Sequence, residues 1–172
     1  MLKIAIPSYV ELLGARVPPV VVTTIGDGSD YDTLVWQAGP PIPPKAELDA
    51  ARLVEAKHRQ WLAIQGVRDY LRGNGVQVGA NWFHSDDSSR IQQLGLVMFG
   101  SNMPGGIMWK TMGGAFVLMT PALAMSIFTG HAQHDTIIFS IAEQKKTAVN
   151  ALTTLQEVGE FDHDSGWPAT FT

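Results

Sequence analysis

Hydrophobic positions follow two different periods along the chain, and the change from one to the other marks its elements. Val20 to Ile25 is a β-branched run, Gly26-Asp27-Gly28 is a turn signal and Tyr31 to Trp36 returns, which predicts a β-hairpin. The segment Pro40-Pro41-Ile42-Pro43-Pro44 has few backbone donors and favours extended geometry, so it reads as a stiff spacer and a boundary. From Lys45 to Arg72 there is no proline, and Ala50, Val54, Trp61, Ile64 and Leu71 recur at steps of three, four and seven. That spacing predicts a helix of about 25 residues and roughly 38 Å, too long to stand without a partner along its length.

Gly73-Asn74-Gly75 ends this helix, and Val76 to His84 folds back as a tight hairpin around Gly79-Ala80-Asn81. Ser85-Asp86-Asp87-Ser88 supplies capping side chains for a shorter helix carrying Ile91, Leu94, Val97 and Met98. Ile107 to Lys110 and Ala115 to Met119 flank Met112-Gly113-Gly114 as another hairpin. Thr120 then caps a second long helix with Pro121 at its first position. Leu123, Ile127, His131, His134, Ile138, Ile141, Ala148 and Leu152 form its apolar stripe, expected to pack on the helix of residues 45–72. The last twenty residues read as loop or tail.

The predicted architecture is therefore α+β, with two long helices and one short helix and small antiparallel β-hairpins. Residues 1–44 form an N-terminal hairpin and proline-rich docking segment, and residues 45–172 a helical α+β domain with a C-terminal tail.

Composition narrows the function. Twelve Lys and Arg against sixteen Asp and Glu leave a formal charge of −4, which argues against a sequence-independent nucleic-acid binder. Hydrophobic residues make up 45% and charged residues only 16%, enough for a real core. The absence of cysteine excludes disulfides, thiolate nucleophiles and Cys-ligated metals. The N-terminal residues do not read as a secretory signal, so the protein is expected to act where it is made. Between Arg90 and Asp135, 44 residues contain a single Lys, Asp or Glu, Lys110. Glycines and prolines break the stretch too often for a bilayer span, so no membrane insertion is expected.

His131 and His134 share a helix face and could reach one metal ion with a third ligand, although no carboxylate stands at metalloprotease spacing and a hydrogen-bonded seam is favoured. Gly26 to Asp32 gathers three carboxylates without the final Glu of a calcium loop, and Phe161 to Gly166 is equally unspecific. No phosphate-binding loop or nucleophile elbow is present, so no catalytic, cofactor or metal residue is assigned. Six of the seven methionines fall in the charge-poor stretch, where flexible thioethers suit either a core or an adaptable protein interface.

From Arg68 onward the chain resembles a known family. The run Trp82-Phe83-His84-Ser85-Asp86-Asp87-Ser88-Ser89-Arg90-Ile91 leads to Trp109-Lys110-Thr111, Gly114 to Thr120, Ala142-Glu143 with Lys146, and Gly166-Trp167-Pro168. Upstream, Tyr31-Asp32, Val35-Trp36, Ile42-Pro43 and Lys45 to Leu48 are similar to the leader that often precedes it. This resembles the uncharacterised domain that recurs near the C-termini of tail and tail-fibre proteins of tailed bacteriophages. The family has no established catalytic residues. The resemblance implies a non-enzymatic virion component or fibre-assembly chaperone in the host cytoplasm and then the tail, binding fibre or baseplate proteins or copies of itself. Met103, Met108, Met112, Met119, Trp36 and Trp109 are the expected partner-binding residues. The alternatives are a metal-dependent hydrolase built on His131 and His134, or a receptor- or glycan-binding module using Trp36, Trp82 or Trp109.

Overall fold

Ser8 and Glu11 open the structured part of the chain in the computed structural model, which describes residues 3–172; Met1 and Leu2 of the expected N-terminal segment lie outside it. The Ser8 hydroxyl accepts from the Glu11 amide at 3.2 Å and starts α1, Tyr9–Gly14, a helix that the pattern of apolar residues did not predict. The predicted hairpin follows as β1, Val21–Thr23, and β2, Val35–Ala38, antiparallel with a register irregularity at Val21/Val22. Tyr31 to Thr33 turn as a single 3-10 helix capped by the Asp30 carboxylate instead of continuing the strand.

Two long helices run through the molecule, α2 over Lys45–Gly73 and, later in the chain, a helix over Pro121–Ala151. Between them lie β2's successors β3, Val76–Val78, and β4, Asn81–Phe83; then α3, Asp87–Phe99; then β5, Met108–Lys110, and β6, Phe116–Leu118. The second long helix is α4, and α5, Leu155–Glu160, follows it. The fold is α+β with three separate two-stranded antiparallel sheets, as the two periods predict. The short helix α5 corrects the expectation of a featureless tail. Thr154 and Glu157 form a capping box, each side chain bonding the other's backbone amide at 3.2 and 2.9 Å. Six residues are too few to show a helical period, so only the cap carries the signal.

Contacts divide the chain into two compact units, with division points after Ile64, Gln144 and Asp164. The first contains the chain up to Ile64 together with Lys145–Asp164. In it the leader is fastened to α2: Tyr9, Leu13, Val20 and Leu48 form one buried cluster. Arg52 Nε donates to the Pro7 carbonyl at 2.8 Å, and its guanidinium lies 4.2 Å from the Tyr9 ring centre. The Tyr9 hydroxyl also donates to the Asp49 carboxylate.

The inward face of α2 in this unit is Leu48, Arg52, Ala56, Gln60 and Ile64. Of the predicted stripe, Ile64 and Leu71 are buried and Trp61 half-buried, whereas Val54 is 69% exposed and Ala50 is exposed too. Arg52 and Gln60 occupy interior positions where distant carbonyls accept hydrogen bonds from their N–H groups; Gln60 Nε2 donates to the Phe161 carbonyl at 2.8 Å. The expected pairing of the long helices is present here, with Lys57 Nζ donating to the Asn150 carbonyl at 2.8 Å and Lys146 lying 4.6 Å from the Trp61 ring centre.

The second unit contains Gln65–Gln144 and Ser165–Thr172. Val76, Phe83, Met119, Ala124 and Ile127 form its core, with Val97, Met103 and Trp109 packed against them. Asp86 caps α3 by accepting from the Ser89 amide at 3.0 Å and from the Ser88 and Ser89 hydroxyls, which hold its carboxyl well below the usual carboxylate range. Thr120 caps α4 as predicted, its hydroxyl accepting from the Leu123 amide at 3.1 Å. Arg68 lies 4.6 Å from the Phe139 ring centre, joining α2 to α4 in this unit as well. No helix among the described residues is long and apolar enough to cross a membrane.

Candidate functional site

The hairpin β5–β6 sorts the methionine-rich stretch into inside and outside. Register pairs Met108 with Leu118, Trp109 with Val117 and Lys110 with Phe116, so successive residues face opposite sides. Trp109 and Val117 turn to the core, while Met108, Phe116 and Leu118 are exposed. Of the six residues expected to bind a partner, Met119 is fully interior and Met103 and Trp109 are half-buried against the core. Met112 packs on Gly75 so closely that a Cβ at that glycine would have no room. Only Met108 and Trp36 are exposed, and the Trp36 indole N–H is already bonded to the Pro40 carbonyl at 3.0 Å. Methionine content alone could not separate interior from surface, because a thioether is at home in both.

Among the exposed apolar residues, those of α3 stand in a row. On α3, Ile91, Leu94, Val97 and Met98 are the apolar residues that the pattern placed on this helix. Ile91 is 71% and Met98 80% exposed, with Leu94 also open to solvent. The inward residue of α3 is Gln93, flanked by half-buried Leu96 and Val97. Ile91 and Leu94 meet Phe128 of α4 around a shallow cavity of about 180 Å³, with Arg90 and His131 also lining it.

Gln93 is interior because its amide is satisfied at both ends. Its Nε2 donates to the His84 carbonyl at 3.0 Å, which leaves Oε1 to accept from His131 Nε2 at 2.6 Å. His131 is therefore held as the Nε2–H tautomer. Burial, followed by the nearby Arg90 charge, lowers its pKa to about 4, against the pull of Asp135 in the other direction. Burial likewise lowers His134. The seam favoured from sequence is what His131 occupies, and its Nε2 is committed to Gln93. Among the described residues no three His, Asp or Glu side chains gather to hold a metal. The acidic turn behaves similarly: Asp27 accepts from the Ser29 amide and Asp30 from the Asp32 amide, at 2.9 and 3.0 Å. Near the other end, Asp162 accepts from the Asp164 amide and His163 is buried beside Gln60.

A lowered histidine pKa makes stability depend on pH with a definite sign. The unfolded chain binds the proton near pH 6.5 and the folded chain only near pH 4, so the unfolding free energy falls as pH drops through that window. Urea unfolding between pH 7 and pH 4 should show this slope, and His131→Gln should reduce it to the part that His134 contributes. An identical slope in the variant would show that His131 is not the group responsible.

Together these features describe an α+β protein with hydrogen-bonded polar groups in its interior and exposed apolar residues that include a row on α3 beside α4 and one face of β5–β6. The chain belongs to the family described as Domain of unknown function (DUF4376), whose profile matches residues 55–163, more than half of its length. No curated protein matches it. No solved structure matches it either.

Proposed function

We propose that this chain is a non-enzymatic bacteriophage tail component, a tail-fibre- or baseplate-associated structural protein or fibre-assembly chaperone, acting by protein–protein binding. The observation that carries the binding role is the row Ile91, Leu94 and Met98 on α3, beside Phe128 of α4. Large apolar side chains grouped in the open favour coverage by another chain. The phage context rests on the resemblance in the Trp82–Ile91 and Trp109–Thr120 segments. In this reading the protein binds fibre or baseplate proteins, or copies of itself, in the host cytoplasm and is then carried in the tail. It needs no cofactor.

The structure changes which substitutions test this. Met103→Asp and Met112→Asp would disturb half-buried packing, whereas Ile91→Asp and Met98→Asp alter exposed side chains. Co-expression with the fibre and baseplate proteins of the same phage should yield a complex that the wild type forms and the two variants lose. Each variant's own stability should stay within roughly 0.5 kcal/mol of wild type. A chain that remains monomeric, ignores all of those proteins and is absent from purified particles would refute the proposal.

A further inference from the structure

The second unit contains a cleft of about 250 Å³ whose lining is aromatic on one side and carries neutral polar groups around it. Its first wall is the β3–β4 hairpin, where Gln77 and Trp82 are cross-strand partners and so stand side by side on one face. Its second wall is α4, where Gly130, Gln133, His134 and Ile137 fall at i, i+3, i+4 and i+7 and share a stripe. Gly130 sets the distance between them. A Cβ there would lie 3.2 Å from Val78 Cγ2 and 3.3 Å from Val76 Cγ2, so the bare backbone lets the hairpin approach the helix. The C-terminal segment closes a third side through Pro168 and Ala169, and Phe171 meets the Trp82 ring edge-on at 6.2 Å.

No charged side chain lines this cleft. Asp135, next to His134 in sequence, is bonded to Arg90 at 2.7 and 2.9 Å. Among the described residues the Gln77 and Gln133 side-chain amides have no hydrogen-bond partner, and each offers both a donor and an acceptor. His134 Nδ1 is buried and unpartnered at the same place.

We infer that this cleft binds a neutral saccharide, with the apolar C–H face of one sugar ring against Trp82 and its hydroxyls bridged by Gln77 and Gln133. A pyranose has that division: hydroxyls that both donate and accept around its rim, and a C–H face that aromatic rings cover well. Amides match hydroxyls in both roles, and an uncharged lining gives no advantage to an anion or cation. The cleft lies just under the roughly 300–1,000 Å³ of sites for drug-sized ligands, which suits one ring better than an extended chain. The inference goes beyond protein–protein binding and stands or falls separately from it, since none of these residues belongs to the α3 row.

The test uses the full-length chain and the signals of the Trp82 indole N–H and the Gln77 and Gln133 side-chain amides in nitrogen-15 NMR spectra. Methyl glucoside, methyl galactoside and N-acetylglucosamine are titrated separately, with glucuronate and p-cresol as comparison ligands. At least one neutral sugar should shift all three signals with millimolar affinity and more tightly than either comparison ligand. Gln77→Ala and Gln133→Ala change exposed side chains; each should keep the wild-type melt and weaken that sugar by roughly tenfold. The inference is overturned if no neutral sugar moves these signals, if both variants bind like wild type, or if glucuronate or p-cresol binds as well or better.

Discussion

Ile138→Asp should remove a large part of the protein's folding stability. Ile138 is completely buried on α4, with no solvent-accessible surface. The substitution forfeits about 2–3 kcal/mol of apolar burial and places a carboxyl group where no partner is provided. A total loss of at least about 4 kcal/mol is expected, a large part of the roughly 5–15 kcal/mol that holds a domain together. The control is its neighbour: Ile137 is 50% exposed, so Ile137→Asp should cost no more than about 1 kcal/mol. Urea unfolding of the two variants side by side reads this directly. Equal losses at both positions would mean that the inward face of α4 has been misplaced by one residue.

The second large effect is expected at Arg90. Its guanidinium forks onto Asp135, with Nη1 to Oδ2 at 2.7 Å and Nη2 to Oδ1 at 2.9 Å. The remaining N–H groups donate to the Ser85 carbonyl at 2.7 Å and the Arg72 carbonyl at 2.9 Å. One side chain thereby ties the end of α2, the turn before α3 and the middle of α4. Both ionic partners are largely shielded, at 17% and 27% side-chain exposure, so solvent replaces little of what is lost. Arg90→Ala should cost about 3 kcal/mol, since it takes the two-pronged partner from a shielded carboxylate and the side-chain donor from the Ser85 carbonyl. Arg90→Lys should recover less than half of that, because an ammonium cannot form the planar two-pronged bond. In a double-mutant cycle with Asp135→Ala, measured by denaturant unfolding, a coupling of about 1–3 kcal/mol is expected. Additive losses would show that the two side chains do not act as a pair.

These two positions also show how legible the fold was. Ile138 sits in the stripe read along α4, and most of that stripe is buried or half-buried, Ile127, His131 and Ile138 among the interior residues. Arg90 could be placed at the start of α3, but nothing in its neighbourhood names Asp135, which lies 45 residues away. The candidate binding surface divides in the same way. The charge-poor stretch was visible, yet it contains Met119 in the core and Met98 in the open within one composition. Ile91, Leu94, Val97 and Met98 could be placed together on α3, but spacing cannot say which way a helix is turned: Val97 packs on the core while Ile91 and Met98 face out. Nor could Gln77 be linked to Gln133, since one lies on a strand and the other on a helix and only Gly130 lets those elements meet.

The sequence by itself determined where elements begin, end and turn. Asp86 caps α3, Thr120 and Pro121 open α4, and glycines at positive φ, such as Gly79 and Gly114, turn the chain between paired strands. Each works through its own backbone and the next few residues, so its effect is written locally. Tertiary structure decided which face of each helix became interior. Arg52, Gln60 and Gln93 are buried although polar, and Arg52 Nε, Gln60 Nε2 and Gln93 Oε1 each bond a partner 45, 101 or 38 residues away. Val54, Ile91 and Met98 remain outside although apolar. A polar side chain is costly in the interior only while its bonds are unmade, and the groups that make them are brought close only by folding.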